Sequence, residues 1–143
     1  MSKSQKSLAA VAFVLTALLS ASYLYSTHAP EALASGRFHQ VAHKGEGTAT
    51  IYLLWDGRRV LRLTDFRTAH RPDLLLYLIS AQDAPENETV KRSEVFSLGP
   101  LRSHEGDQEY AVPADLDLTR FHAVTVWSPK YGVNFTTAPL KRP

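Results

Sequence analysis

Residues 48–66 read TATIYLLWDGRRVLRLTDF, a pattern in which two runs of alternating apolar side chains flank an Asp-Gly pair. Such alternation indicates a half-buried β-strand, and Asp-Gly between two strands indicates a hairpin turn. A two-residue loop would set Ile51 opposite an arginine, whereas a loop with an odd number of residues groups Ile51 with Leu61 and Leu63. The second register buries one consistent face, so the sequence predicts an antiparallel hairpin with that register.

Strand-like segments separated by turn residues continue along the rest of the chain. Residues 74–79 read LLLYLI, an uninterrupted apolar run that predicts a central strand. The polar residues 81–94 predict a long surface loop. Four more short strands are predicted at the spacing typical of a sandwich or barrel, namely residues 95–98, 108–112, 123–127 and 132–135. The predicted fold class is all-β, an antiparallel β-sandwich or barrel-like domain over residues 36–143.

The first 25 residues differ in composition from everything that follows. Lys3 and Lys6 precede residues 8–25, an uncharged apolar stretch that would span about 27 Å as a helix, close to the thickness of a bilayer core. This arrangement indicates either a cleaved export signal or an uncleaved membrane anchor. We expect a hydrophobic helix in residues 1–25, then a linker over 26–35. The domain that follows is expected in the cell envelope, either anchored to the membrane and facing outward or secreted or periplasmic.

Composition excludes several kinds of chemistry. The 143 residues include no Cys and a single Met, which is Met1. Thiol–disulfide exchange, Cys-ligated metals, iron–sulfur clusters and thioether-linked haem are therefore excluded, as is a Met-ligated haem or copper. The 16 Lys and Arg nearly balance the 14 Asp and Glu, which gives a net charge of +2. That charge is not typical of a nucleic-acid-binding protein, so no nucleic-acid partner is expected.

The histidines do not have the spacing of a metal or haem site. His39 and His43 are four residues apart, and along a strand that separation is about 13 Å, too far for both to hold one ion. The other internal histidines are scattered. We therefore predict no metal site and no cofactor. If electron transfer were retained, the histidines to consider would be His39, His43, His70, His104 and His122.

Two other polar groups are interpreted as structural. Ser103, His104 and Asp107 match a hydrolytic set in residue type only, without the local pattern of a nucleophile, so no catalytic residue is predicted. Five arginines between residues 58 and 71 are interspersed with aspartates. This pattern favours a solvated sheet face over an anion-binding site.

Several separated segments resemble, in the right order, the DM-thirteen domain. HKGEGTATIYLL at 43–54, LRLTDF at 61–66 and RPDLLLYLI at 71–79 are similar to its first half, and LGPLRSHEGDQEYAVPADLDL at 98–118 and VTVWSPKYGVNFTTAPL at 124–140 to its second half. The resemblance implies an extracytoplasmic module, which occurs alone in bacterial exported proteins and beside other domains in the animal matrix proteins Skeletor and Knickkopf. That family is described as an electron-transfer domain, chiefly because of a cysteine in a Trp-Cys motif near the last strand.

In this chain the motif reads Trp127-Ser128, so Ser128 stands where the resemblance places the redox cysteine. A hydroxyl cannot cycle between thiol, sulfenic acid and disulfide, and it supplies no thiolate ligand at neutral pH. The motif still marks a candidate functional surface, to which we assign Ser128, Trp127, Tyr131 and His43. The aromatic residues Trp127, Tyr131 and Phe135 are expected to pack in the core or at a sheet edge, whereas an exposed aromatic platform would suit a carbohydrate or a partner protein.

Two functions of different classes are compatible with these features. In the first, the protein is a non-catalytic β-domain, tethered to the membrane through residues 8–25 if they are not cleaved, which binds an envelope component or a protein partner. In the second, it still transfers electrons through a non-covalently bound cofactor, with histidine or aromatic side chains replacing the cysteine. The first is favoured because the chain lacks the residue on which the second depends.

Overall fold

The structure is a computed structural model that describes residues 29–143. These residues form nine β-strands, one short α-helix and one 3-10 helix. In chain order they are β1 (Glu31–Arg37), β2 (His39–Gln40), β3 (Glu46–Leu53), β4 (Arg59–Arg67), β5 (Leu75–Ile79), α1 (Asn87–Arg92), β6 (Val95–Pro100), β7 (Gln108–Val112), the 3-10 helix Leu118–Arg120, β8 (Ala123–Ser128) and β9 (Val133–Pro139). The hydrophobic helix predicted in residues 1–25 lies outside the described residues. Within residues 29–143, no helix has the length and apolar character needed to span a bilayer.

Two antiparallel sheets enclose the main core. Sheet A has the strand order β1-β3-β4-β7, and sheet B has the order β2-β9-β8-β5-β6. Alternate residues of both sheets are buried in one cluster, including Ile51 and Leu61 from sheet A and Leu76 and Val124 from sheet B. The period of two along each strand sends these side chains inward and their neighbours outward. The prediction of an all-β antiparallel fold is confirmed, and of the two predicted alternatives, a sandwich or a barrel-like domain, the structure has the two-sheet sandwich.

The β3–β4 hairpin has the predicted register. Ile51 lies opposite Leu61, and residues 54–58 form a loop with an odd number of residues. Gly57 lies in that loop at a φ of +86°, a conformation that favours glycine. Both strands therefore present one apolar face to the core, as the alternation in the sequence indicated.

The other predicted strands also form. The run LLLYLI contains β5, which lies between β8 and β6 and is therefore an interior strand. Strands β6, β7, β8 and β9 occupy the four segments predicted for them, and β9 continues to Pro139.

The segment 81–94 contains α1, so the prediction of a long surface loop was wrong for this part. Glu88 in the first turn and the basic residues of the last turn suit the helix dipole, and Lys91 Nζ lies 3.1 Å from Glu88 Oε1. Val90 points inward from the helix and is buried. It packs in a second cluster that contains Ile79, Ala84, Ala123 and Trp127. The segment therefore covers the outer face of sheet B.

Sheet A begins earlier than residue 36, because β1 occupies much of the segment 26–35 that the sequence assigns to a linker. Glu31 lies opposite Leu53, and the pairing continues to Arg37 opposite Thr48. The segment EALAS at 31–35 has no β-branched or aromatic residue, so it carries little strand propensity of its own. Pairing with β3 and burial of its apolar side chains make it a strand.

Candidate functional site

A cleft of about 410 Å³ opens where β8 turns into β9. Ser128 is the last residue of β8, lines the cleft and is 4 % exposed. It pairs with Val133, and its carbonyl oxygen accepts a hydrogen bond from the Gly132 N–H at 2.9 Å. Gly132 has a φ of +63°, which favours glycine and allows the tight turn. The turn therefore fixes Ser128 in the wall of the cleft.

Alternation along β8 separates Ser128 from Trp127. Val126 packs in the main core, whereas Trp127 packs in the second cluster beneath α1. With a period of two, Ser128 points to the side of Val126 and Trp127 to the opposite side. The indole ring of Trp127 is stacked with Tyr77, with 6.4 Å between ring centres. Trp127 therefore does not line the cleft.

Phe135 forms the floor of the cleft and also holds His43. Val126 lies opposite Thr136 and Trp127 opposite Asn134, so Phe135 is the extra residue of a β-bulge in β9. A bulge changes the direction of a side chain, and here the ring is 3 % exposed. The Phe135 carbonyl oxygen accepts the His43 N–H at 3.0 Å, and the two ring centres lie 4.2 Å apart.

Residues 39–45, which include His43, pack closely against β9. Strand β2 pairs with β9, and the Thr136 hydroxyl donates to the His39 carbonyl oxygen. Gly45 passes so close to Thr136 that a Cβ on it would lie 2.0 Å from Thr136 Oγ1. Glycine is therefore required for this close approach. These contacts fix His43 in the cleft wall.

Two cationic side chains lie around the cleft opening. Lys130 belongs to the β8–β9 turn, and its Nζ lies 5.3 Å from the ring centre of Tyr131, which is 69 % exposed. Arg71 comes from a different loop, where its carbonyl oxygen accepts a hydrogen bond from His104 Nε2 at 2.6 Å. The His104 ring in turn packs against His70, with 4.1 Å between ring centres.

The electrostatic character of the cleft is positive. The residues that line it include Arg71 and Lys130 and no carboxylate. Within residues 29–143, neither cation forms an ion pair. Three arginines of the predicted solvated face do form ion pairs, as Arg58–Asp56, Arg62–Glu109 and Arg67–Glu105. The positive charge near Ser128 is therefore not compensated within the described part of the chain.

A buried polar cluster supports the same hairpin from its outer side. Thr125, Asn134 and Thr137 are fully buried, and the Thr125 hydroxyl donates to Asn134 Oδ1. Asn134 Nδ2 donates to Thr137 Oγ1 at 2.7 Å and to the Ala84 carbonyl oxygen at 2.9 Å. The Asn134 N–H donates to Asn87 Oδ1 at 2.8 Å. Because these groups satisfy one another, the cluster ties the hairpin to α1 and does not present a ligand site.

Three of the four residues assigned to the predicted functional surface meet in the cleft. They are Ser128, Tyr131 and His43, and Trp127 lies on the other side of sheet B. Trp127 and Phe135 are packed as expected. The expectation of packing is wrong for Tyr131, because the β8–β9 turn carries its ring out into solvent.

Neither cation of the opening was predicted to belong to the candidate functional surface, and Arg71 was grouped with the five arginines interpreted as a solvated sheet face. Lys130 adjoins Tyr131 in the turn, so its position next to the Trp-Ser motif was a signal that could have found it. Arg71 has no such local signal, because its loop reaches the cleft through the pairing of Leu75 in β5 with Trp127 in β8 and through its contact with His104.

The histidines are dispersed in structural contacts. The His39 ring bonds Asp83 Oδ1 at 2.7 Å through Nε2 and the Gln40 carbonyl oxygen at 3.0 Å through Nδ1. Partial burial lowers the pKa of His39, but these hydrogen bonds and the Asp83 charge outweigh it and raise the pKa above 6.5. Within residues 29–143, no group of three or more His, Asp or Glu is placed to hold a metal ion.

The residues that match a hydrolytic set make separate contacts. The Ser103 hydroxyl donates to the Glu105 carbonyl oxygen at 2.7 Å, and Asp107 accepts the Asp65 N–H at 2.9 Å. His104 is engaged with the backbone of Arg71. Ser103 therefore stabilises its own loop, whereas His104 and Asp107 connect that loop to segments earlier in the chain.

Comparison with known proteins gives one result that covers this site. The model of the family described as Electron transfer DM13 matches residues 37–140, which include the cleft and the elements from β2 to β9. The resemblance inferred from the sequence motifs is confirmed. No curated protein and no solved structure matches the chain.

Proposed function

We propose that this chain, which belongs to the Electron transfer DM13 family, is a non-catalytic binding domain of the cell envelope. The cleft at Ser128 holds an envelope component or a protein partner in this proposal. The chain has no cysteine, so it cannot carry out thiol chemistry at the motif position, while a pocket surrounds that position.

The single observation that carries the proposal is the placement of Ser128. The residue that replaces the expected cysteine is almost fully buried, yet it lines a cleft whose volume lies within the range of small-molecule sites. A pocket that combines an apolar floor with a few polar groups is typical of binding sites. Phe135 supplies that floor, and His43, Arg71 and Lys130 supply the polar groups.

The location is proposed from residues 8–25. A basic head followed by an uncharged apolar stretch supports export, with the stretch acting either as a cleaved signal or as a membrane tether. Residues 31–143 would then work on the outer side of the membrane or in the space beyond it.

The test is site-specific photo-crosslinking of the full chain in its own cell envelope. A benzophenone-bearing phenylalanine analogue replaces Tyr131 at the cleft or, as control, Trp55 in the β3–β4 loop. Both side chains are largely exposed, at 69 % and 73 %, and Trp55 lies beyond the far end of β3 from the cleft. The proposal expects an adduct, seen as a mass increase of the purified chain, from position 131 and not from position 55. Equal labelling at both positions, or no adduct at 131, would contradict it.

The alternative function is electron transfer through a non-covalently bound cofactor. Its support is the family description, together with the aromatic and histidine side chains in the cleft. This alternative requires a redox-active group that stays with the purified protein. An optical spectrum therefore distinguishes the two functions.

A further inference from the structure

We propose that the cleft at Ser128 binds an anionic ligand, a carboxylate or a phosphate ester, whose charged group is attached to an apolar planar body. This inference rests on the proposed binding function and adds the chemical class of the ligand.

The positive charge of the cleft favours an anionic ligand. Arg71 and Lys130 lie around the opening, no carboxylate lines it, and the described residues offer neither cation an ion-pair partner. Hydrogen bonds from such cations to carboxylate or phosphate oxygens are about twice as strong as those between neutral groups. Arg58, Arg62 and Arg67 are paired with carboxylates, so the two cations of the cleft differ from these arginines in having no counter-charge within residues 29–143.

The Ser128 hydroxyl indicates where a polar atom of the ligand lies. Ser128 is 4 % exposed, and it lines the cleft. Within residues 29–143 it has no side-chain hydrogen-bond partner, unlike the buried Thr125 and Asn134 nearby. Because the hydroxyl lines the cleft and makes no hydrogen bond within the described residues, it is available to donate to or accept from a polar atom of a ligand.

The remaining walls favour an apolar planar body. Phe135 and Val133 are apolar, the His43 ring lies over Phe135, and the exposed Tyr131 ring stands at the opening. Stacking on aromatic rings favours planar groups over branched ones. A volume of about 410 Å³ accommodates a bicyclic ring system with one charged substituent.

The experiment compares four probes by two-dimensional amide NMR titration of the full chain in detergent. The probes are 2-naphthoate, its neutral counterpart 2-naphthamide, 1-naphthyl phosphate and inorganic phosphate. We expect at least one naphthyl anion to shift the amide resonances of Ser128, Tyr131 and His43. We also expect it to bind about tenfold or more tightly than 2-naphthamide and inorganic phosphate, a ratio that corresponds to one charge-assisted hydrogen bond. The preference between naphthoate and naphthyl phosphate identifies which anion the cleft takes.

A double variant tests the role of the cations. Arg71→Gln with Lys130→Gln should weaken binding of the preferred naphthyl anion about tenfold and leave 2-naphthamide unchanged. The matched control, Arg92→Gln with Lys141→Gln, removes the same charge from exposed residues outside the cleft and should leave both affinities unchanged. Thermal melts of both double variants confirm that they are folded.

Three results would overturn the inference: equal affinity for 2-naphthoate, 1-naphthyl phosphate and 2-naphthamide, unchanged anion affinity in the cleft variant, or no cleft shifts with any probe. Equal binding of the neutral probe would refute the anionic class and leave the proposed binding function standing. Absence of a crosslink at position 131 would instead refute the binding function itself.

Discussion

The His43 N–H donates to the carbonyl oxygen of Phe135 at 3.0 Å, and the two rings of the same residues lie 4.2 Å apart. Phe135 therefore serves both the core and the cleft. Its ring is buried in the main cluster, while its backbone, displaced by the β-bulge, holds the segment that forms the opposite wall.

Truncation of Phe135 should destabilise the domain. We expect Phe135→Ala to lower the free energy of unfolding by about 3–5 kcal/mol, because it leaves a cavity and removes the support of the His43 ring. Phe135→Leu keeps much of the volume and should cost about half as much. Urea denaturation measures both values. A cost below about 1 kcal/mol for the alanine variant would contradict the packing described here.

The His39–Asp83 pair should make stability depend on pH. The pKa of His39 is raised in the folded state, so its stabilising contribution is complete below its unfolded value of about 6.5 and is lost as pH rises through the folded value. We expect the difference in unfolding free energy between wild type and His39→Gln to be larger at about pH 5.5 than at about pH 8.5. Asp83→Asn should show the same trend. A difference that is constant or larger at high pH would refute this account.

The extent of sheet A can be tested by shortening the chain. Starting at Pro30 keeps β1 complete, so that protein should unfold cooperatively. Starting at Gly36 removes most of β1, exposes the edge of β3 and uncovers apolar surface beneath Leu33 and Ala34. We expect a loss of about 3 kcal/mol, the value for two apolar side chains. Identical denaturation curves for the two proteins would show that β1 is dispensable.

The sequence predicted those strands and turns whose pattern is contained in a continuous segment of the chain. The alternation and Asp-Gly turn of residues 48–66 specify the β3–β4 register because a shift by one residue would expose the apolar face. β1 could not be predicted in this way, because residues 31–35 become a strand only by pairing with β3. α1 was missed because its amphipathic face is reduced to one buried residue, Val90.

In the cleft, too, some residues could be predicted from a local motif and others are placed by tertiary contacts. Ser128 and Tyr131 belong to one continuous motif, and the turn between β8 and β9 places both at the opening. Arg71 reaches the cleft because Leu75, shortly after it in the chain, pairs with Trp127, and because its loop contacts His104. No local pattern in the sequence encodes these tertiary contacts.

Replacing Ser128 by cysteine, the residue that the family resemblance implies at this position, tests how deeply the position is buried. Cysteine differs from serine by one heavier atom, so Ser128→Cys should change the free energy of unfolding by about 1 kcal/mol at most. The new thiol should react with iodoacetamide through the cleft, but more slowly than in the urea-unfolded chain, because the position is 4 % exposed. Equal rates in the folded and unfolded protein would show that the side chain is not buried.

The central claim is that this family member binds a ligand at the Ser128 cleft without carrying electrons. The most direct measurement is an ultraviolet–visible spectrum with a potentiometric titration of the protein purified from its own cells. We predict no visible absorption band and no reversible redox wave, because the proposed binding function needs no redox-active group and the chain has no cysteine that could act as one. A visible band that survives dialysis and titrates reversibly would contradict the claim, and the electron-transfer alternative would then lead.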